Sequence, residues 1–209
     1  SKDGNVNVRI EIIALSSSKN NISFQFRQKD NTVTISGEYL DNLSKLTAKN
    51  HPKIKVFLSI PVLSDLSVDV LNGTISIKDS IHGNIALTTT SGNIDITNIE
   101  GNENISTTGG KISINNCKGS STISTKGGSV IVSSFTGETN INAFGAEIKV
   151  DDFRGRGKLT SVGGSVKVNN IISGTLDVES LNTSLTINDD AKPFEIKVKS
   201  FGGNNEFFI

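Results

Sequence analysis

Apolar residues recur along the central part of the chain with a period of about 18 residues. Four similar segments, ISTTGGKISINNCKG, ISTKGGSVIVSSFTG, INAFGAEIKVDDFRG and LTSVGGSVKVNNIIS, begin at Ile105, Ile123, Ile141 and Leu159. Less regular copies begin at Leu66, Ile85 and Leu176. Self-similarity at a fixed period indicates structural units that stack on one another and bury their apolar faces against their neighbours.

Within each repeat, apolar and polar residues alternate as they do in a β-strand. Ile112 and Ile114 are typical, because side chains two residues apart point to the same face of a strand. An amphipathic helix would need apolar residues at i, i+3, i+4 and i+7, and the repeats lack that pattern. The aligned repeats place Cys117, Phe135 and Phe153 in one apolar column. We therefore predict stacked short strands, with Cys117 buried and the two phenylalanines adjacent in the core.

Glycines and polar pairs recur between the short strands. One glycine column contains Gly109, Gly127, Gly145 and Gly163, and a second contains Gly83, Gly101, Gly119, Gly137 and Gly155. Polar pairs such as Asn115-Asn116 occupy a third recurring position. These residue types accept the backbone conformations of tight turns. Each repeat is therefore predicted to be a coil of two or three strands joined by sharp turns.

These features predict an all-β fold, a right-handed parallel β-helix (β-solenoid) of about six 18-residue coils with β-strand caps at both ends. A left-handed hexapeptide helix would need an apolar residue at every sixth position. The intermediate sixth positions are instead polar and hold Lys111, Ser129, Glu147 and Ser165. The glycine-rich calcium-binding nonapeptide is also absent from the sequence.

The two ends of the chain differ from the repeats. Residues 1–65 contain four alternating stretches, VNVRIEI, ISFQFR, TVTIS and KIKVFLSIP, which predict half-buried antiparallel strands. We interpret 1–65 as an N-terminal β cap continuous with the solenoid, 66–190 as the solenoid repeats and 191–209 as a C-terminal strand cap. Such caps cover the unpaired edges of terminal coils. The final Phe207-Phe208-Ile209 either packs over the last coil or forms an exposed edge for oligomerisation.

The strand-rich start leading into IKVFLSIPVLSDLSVDVLNGTISI, followed by TSGNIDITNIEG, TTGGKISINNCKG and TKGGSVIVSSFTG, resembles a bacterial adhesin family. Members of that family are also described as autotransporter-adhesin head domains. The resemblance spans nearly the whole chain and rests on structural repeats. It implies an exported, cell-envelope-associated right-handed β-helix, and it carries over no catalytic residues and little mechanism.

Composition excludes several classes of function. Lys plus Arg and Asp plus Glu both number 21, so the formal net charge is +0, and no basic excess attracts nucleic acid over long range. No apolar run is long enough for a transmembrane helix. The single cysteine excludes an internal disulfide framework and a cysteine-based zinc site. The chain has no Met and begins at Ser1, so we expect a removed leader or a trimmed start, the alternative being simple loss of an initiator Met.

Few residues show a pattern typical of catalysis or ligand binding. Asp151 and Asp152 precede a basic stretch, but adjacent carboxylates do not stand on opposite sides of a sugar, as glycoside hydrolysis requires. His51 and His82 have no triad or metal-ligand spacing. Asp189-Asp190 is at most a weak cation site. We therefore predict no catalytic residues, no metal site and no cofactor.

One outward position departs from the polar surface of the predicted solenoid. In the aligned repeats, this position holds Thr108, Lys126, Phe144 and Val162. An outward Phe144–Val162 step would form an exposed apolar patch, a feature that can mark contact with a partner. The alternatives are coverage by the C-terminal segment and a misassigned facing at the turn.

The leading functional hypothesis is a non-enzymatic exported module of the cell surface or envelope, an adhesin that binds a protein or glycan partner. A second hypothesis is a structural scaffold that self-assembles into a homo-oligomer through the solenoid ends. A carbohydrate-active β-helix enzyme is a more remote third, and ice binding through outward threonines a fourth, which the mixed outward columns disfavour. The absence of Trp and the single Tyr disfavour sugar binding by ring stacking.

Overall fold

A computed structural model describes residues 6–13, 22–29, 32–39, 53–188 and 194–208. Across these ranges the chain forms fourteen strands and no helix. The strands are β1 (Asn7–Ile13), β2 (Ile22–Lys29), β3 (Thr32–Tyr39), β4 (Lys53–Ser59), β5 (Leu66–Asn72), β6 (Ile75–Ile77), β7 (Ile81–His82), β8 (Ile85–Ser91), β9 (Ile94–Thr97), β10 (Ile99–Thr125), β11 (Gly128–Leu181), β12 (Ser184–Asn188), β13 (Phe194–Phe201) and β14 (Asn205–Phe208). The chain divides into two compact units, Ser1–Pro61 and Val62–Ile209.

The first unit contains two antiparallel strand pairs. β1 pairs with β4, so that Asn7 lies opposite Ser59, and β2 pairs with β3 over their whole length. The four predicted strands and their antiparallel pairing are therefore confirmed. That this segment caps the solenoid stays a prediction.

The second unit is a parallel β-solenoid of about eight turns, as the 18-residue period predicted. The long strands β10 and β11 each run through more than one turn, and their pairing is in register with the repeats, with Ile112 beside Val130 and Cys117 beside Phe135. The turns outnumber the six predicted coils partly because β13 and β14 continue the parallel stack on β11 and β12. The right-handed sense of the winding stays a prediction from the general preference of parallel crossovers.

Most of the solenoid interior is made of the predicted apolar columns, although some buried polar residues, such as Thr107 and Thr139, also face inward. Cys117, Phe135 and Phe153 are all fully buried, and the two phenylalanine rings stack with centroids 6.2 Å apart and planes 9° apart. The other apolar columns are equally buried. Their residues have almost no exposed surface, namely Ile105, Ile123, Ile141, Leu159, Ile112, Val130, Ile148, Val166, Ile114, Val132, Val150 and Val168. Stacking identical coils places like side chains on like, which fills the core without gaps.

Close stacking of the backbone explains one of the two predicted glycine columns. A Cβ atom added to Gly137 would lie 2.0 Å from the carbonyl oxygen of Gly119 on the preceding turn. The other predicted column lies one residue before the crowded positions. Nothing lies within 4 Å of a Cβ at Gly109, whereas a Cβ at Gly110 would lie 2.0 Å from the Gly92 carbonyl oxygen, and later turns show the same displacement. Glycine is thus sterically required at Gly137 and Gly110, and Gly109 is free of that requirement.

The predicted polar pairs form a third corner with a left-handed backbone. Asn116 has φ 52°, and the equivalent residues Asn98, Ser134, Asp152 and Asn170 have φ between 53° and 62°. Asn and Asp tolerate this conformation better than other non-glycine residues. Their side chains also bond along the stack, since Asn116 Nδ2 donates to Asn98 Oδ1 at 2.6 Å. The prediction that these pairs make the bends is confirmed.

Candidate functional site

An apolar line runs along one outer corner of the solenoid. It consists of Phe144, Val162, Leu181 and Phe201, one residue from each of four successive turns, and we call it the corner stripe. Leu181 lies directly beside Phe201, and the glycines that follow Phe144 and Val162 are neighbours on adjacent turns. Phe144 is 53%, Leu181 46% and Phe201 81% exposed, whereas Val162 is half-buried. These side chains are the most apolar part of this corner.

Strand alternation is the reason these side chains point outward. Ala143 and Ser161, the residues just before Phe144 and Val162, are fully buried in the core. Successive residues of a strand face opposite sides, so the next residue must face solvent. Earlier turns place the exposed polar residues Thr108 and Lys126 at the same corner. The corner stripe is therefore confined to the C-terminal half of the solenoid.

The stripe borders a shallow groove of about 260 Å³. Val162, Leu181 and Phe201 line it, together with Thr160, Ser161, Glu179, Ser180 and Lys199. At its charged side, the Glu179 carboxylate lies 3.4 Å from Lys158 Nζ and 3.6 Å from Lys199 Nζ. The groove combines an apolar wall with a margin of one carboxylate and two ammonium groups, and such a surface favours shape and apolar contact over long-range attraction.

The structure places both residues of the predicted patch, Phe144 and Val162, on this corner. The C-terminal strand β13 lengthens the patch through Phe201 instead of covering it. Leu181 and Phe201 were missed in the sequence because the step between turns changes from 18 residues to 19 and then 20. A role of the patch in partner contact stays a prediction.

The adjacent carboxylates Asp151 and Asp152 already have hydrogen-bond partners at the polar corner. Asp151 accepts a hydrogen bond from Asn169 Nδ2 at 2.6 Å and lies 2.6 Å from Lys149 Nζ. Burial alone would raise the pKa of Asp151, but the hydrogen bond from Asn169 and the Lys149 ammonium outweigh it and lower that pKa. Asp152 accepts from Asn170 on the next turn. Both side chains therefore stabilise the stacking of turns.

The remaining candidates among the described residues do not converge on a site. His82 Nε2 is 3.9 Å from Glu100 Oε2, and Glu100 also accepts from Lys118 Nζ at 3.1 Å, which lowers the pKa of Glu100. All three side chains are exposed. His51, Asp189 and Asp190 lie outside the described residues. Within the described ranges, no group of three or more His, Cys, Asp or Glu side chains is placed to hold a metal ion.

Comparison with known proteins supplies the family. A family model described as Toastrack DUF4097 matches residues 1–209. The chain belongs to the Toastrack DUF4097 family. No curated protein and no solved structure matches it. In the parts of this Toastrack chain that the structure describes, no helix is long and apolar enough to cross a membrane.

One buried carboxyl of this Toastrack domain was missed in the sequence. Glu103 is only 3% exposed, and neither carboxylate oxygen has a hydrogen-bond partner among the described residues. Burial raises the pKa of Glu103 to about 7, against a smaller lowering by the nearby Ser121 hydroxyl and Cys117 thiol. Glu103 follows Ile85 and precedes Ser121 and Thr139 in one inward column, so its position two residues before the inward Ile105 was the signal.

The environment of Cys117, which lies next to Glu103, disfavours a reactive thiolate. Burial, followed by the charge of Glu103, raises the pKa of Cys117 to about 12. A nucleophilic cysteine needs a lowered pKa and access to solvent. The prediction that Cys117 is buried as a small apolar residue is confirmed.

Proposed function

We propose that this Toastrack chain is a non-enzymatic binding module of an exported, cell-envelope protein, and that it contacts a protein partner through the corner stripe. The observation that carries the proposal is the row of apolar side chains on four successive turns, of which three are 46% to 81% exposed. Exposed apolar surface is unfavourable in water, and a contiguous exposed apolar patch can mark a site of contact with a partner. An adhesin role, which the family resemblance of the repeats implies, is the more specific version of this proposal.

The chemistry of the stripe favours a protein over a glycan. Phe, Val and Leu side chains bury apolar area against other side chains, whereas sugar rings are usually held by Trp or Tyr with polar groups beside them. The chain has no Trp, and its one Tyr, Tyr39, lies in the first unit. Glu179 is paired with both Lys158 and Lys199 at the groove, which leaves a single net positive charge there, and such charges would orient a partner more than attract it from a distance.

The positions of the ionisable side chains support a non-enzymatic role. Glycoside hydrolysis needs two carboxyl groups facing each other across a substrate with different protonation states. Asp151 and Asp152 are instead tied to Asn169 and Asn170, and the raised pKa of Glu103 belongs to a side chain closed off from solvent. Of the residues that line the groove of about 260 Å³, the two charged ones, Glu179 and Lys199, are paired with each other.

Site-specific photocrosslinking tests the proposal in the cells that produce the protein. A photoreactive phenylalanine analogue at position 144 or 181 is expected to form a discrete adduct with a protein, identified by mass spectrometry. The same analogue at Lys126, the exposed residue of the same corner on the preceding turn, is the matched control and is expected to form none. Cell fractionation of the same cultures tests export.

The strength of the contact is then measured on substituted chains. Phe144→Ser combined with Leu181→Ser is expected to weaken binding to the identified protein at least about tenfold, since two apolar contacts of over 1 kcal/mol each are lost. Lys126→Ser should leave it unchanged. The proposal is overturned if Phe144→Ser and the double variant change no measured interaction, or if the chain binds a glycan array equally well with and without these substitutions.

A further inference from the structure

The last coil of the solenoid has an open edge. β13 pairs on one side with residues 174–181 of β11, and none of the strands in the described ranges pairs with its other side. The free backbone N–H and C=O groups of such an edge are a template for pairing with another chain. β13 is therefore the strand through which this solenoid would be extended.

Inward side chains of β13 and β14 are also more exposed than their counterparts on the preceding turn. Leu176 and Val178 are fully buried on the preceding turn, but their counterparts Ile196 and Val198 in β13 are only half-buried. Phe207 of β14 is 46% exposed, although its counterpart Ile187 is fully buried. Each interior coil covers this apolar surface on its neighbour, so covering it on the last coil is favourable for the same reason.

The charges on the outer face of β13 suit a second copy of the same strand. Glu195 and Lys197 are both exposed, with Lys197 Nζ 3.3 Å from Glu195 Oε1. When two copies run antiparallel and are symmetric about Ile196, each Glu195 lies opposite a Lys197, and Ile196 meets its own copy on the core side. Opposite charges across a strand pair are stabilising, and alternation keeps inward residues facing inward residues.

Neighbouring registers are less favourable on the same rule. Symmetry about Lys197 places Lys197 opposite its own copy, and symmetry about Val198 places Lys197 opposite Lys199 twice. Like charges directly opposite each other destabilise a strand pair. Only the register about Ile196 combines two opposite-charge pairs with no like-charge pair among residues 194–198.

We propose that two copies of this chain associate tail to tail by antiparallel pairing of β13, in the register symmetric about Ile196. The interface uses the same patch on both copies, so the association closes at a dimer and does not continue into a fibre. Pairing is made by backbone atoms of residues 194–198. The dimer therefore does not depend on the corner stripe, and either proposal can fail without the other.

A cysteine scan of β13 reads the register directly. In a two-fold symmetric antiparallel pair, only the residue at the centre faces its own copy at a distance that a disulfide can bridge. Ile196→Cys is expected to give a covalent dimer under mild oxidation, and the matched variants Lys197→Cys and Val198→Cys are not. The native Cys117 does not interfere because it is buried. Efficient crosslinking at 197 or 198 instead of 196 would overturn the proposed register.

A charge exchange tests the same pairing without new covalent bonds. Sedimentation of the full chain over a range of concentrations is expected to show a monomer–dimer equilibrium. Lys197→Glu should raise the dimer dissociation constant about tenfold, because two attractive pairs become repulsive, and the added Glu195→Lys should restore it. Circular dichroism of each variant verifies the fold. A monomer at all concentrations, a ladder of higher oligomers, or no effect of either variant would overturn the proposal.

Discussion

The two units of the chain use similar alternating sequences but bury them to very different extents. In the antiparallel pairs of the first unit, Phe26 is 56% exposed, and the consecutive residues Val56, Phe57 and Leu58 are all exposed. In the solenoid, Phe135 and Phe153 have almost no exposed surface. Consecutive residues of a strand face opposite sides, so exposure of three in a row means that both faces of β4 are open. Alternation thus specifies a strand, and only a closed coil supplies an interior for it.

The comparison also shows what repetition adds. A two-stranded ribbon by itself is marginally stable in water. Each interior coil, by contrast, pairs with a coil on both sides, and its inward residues contact equivalent residues above and below. Stability in such an array is the sum of contacts between neighbours, so substitutions at interior coils should cost far more than the same substitutions in the ribbons.

The largest difference is expected for phenylalanine truncation. Phe153→Ala should lower the free energy of unfolding of the solenoid by about 3–5 kcal/mol, because it leaves a cavity beside Phe135. Phe26→Ala in β2 should lower the free energy of unfolding of the first unit by roughly 0.5 kcal/mol or less. Urea titration followed by circular dichroism reports mainly the solenoid, and fluorescence of the single Tyr39 reports the first unit. Equal effects of the two substitutions would contradict the contrast between the units.

A somewhat smaller effect is expected where the solenoid corners touch. Gly137→Ala should destabilise the chain by about 3 kcal/mol, since the added Cβ would lie 2.0 Å from the Gly119 carbonyl oxygen and φ is 136°. Gly109→Ala is the matched control within the same solenoid and should change stability by no more than about 0.5 kcal/mol, because that corner is open. Thermal unfolding measures both. Similar losses at the two glycines would mean that the corners do not stack as described.

The third effect depends on pH and arises from Glu103, a carboxyl buried inside the solenoid. The pKa of Glu103 is raised to about 7 from 4.5, so the folded state binds a proton that the unfolded state releases. The resulting stability is complete below pH 4.5 and is lost as the pH rises through 7, which amounts to roughly 2 kcal/mol between pH 5 and pH 8. Glu103→Gln should remove this loss, so that the variant is the more stable chain at pH 8.

The control for this measurement is Glu138→Gln, which changes an exposed carboxyl of the same solenoid. Urea midpoints at pH 5, 6, 7 and 8 for the parent chain and both variants isolate the contribution of Glu103 from that of other titrating groups. If the Glu103→Gln chain keeps the pH dependence of the parent between pH 5 and 8, the carboxyl is not buried as described.

Sequence reasoning succeeded where every turn imposes the same environment. Cys117 could be assigned to the core from Phe135 and Phe153 because parallel stacking in register gives equivalent residues equivalent surroundings. It failed where the period changes. Leu181 and Phe201 join Phe144 and Val162 only after turns of 19 and 20 residues, and no count of residues reveals which corner absorbs the extra ones.

Two further features could not be predicted from the sequence. Glu103 stands between Ile85 and Ser121 in an inward column, and a charged residue in an irregular repeat is ordinarily assigned to the surface. The glycine requirement at Gly110, one residue after the predicted Gly109, depends on which backbone atoms meet between turns.

The 18-residue period by itself determined that the chain winds into a parallel β-solenoid and which aliphatic side chains fill it, because a strand has only two faces and stacked coils must match them. The tertiary structure decided how turns of unequal length align, and with them the corner stripe, the sealed Glu103 and the open edge of β13. Those features depend on distances between residues on different turns, and such distances are set by the packing of whole coils rather than by neighbours along the chain.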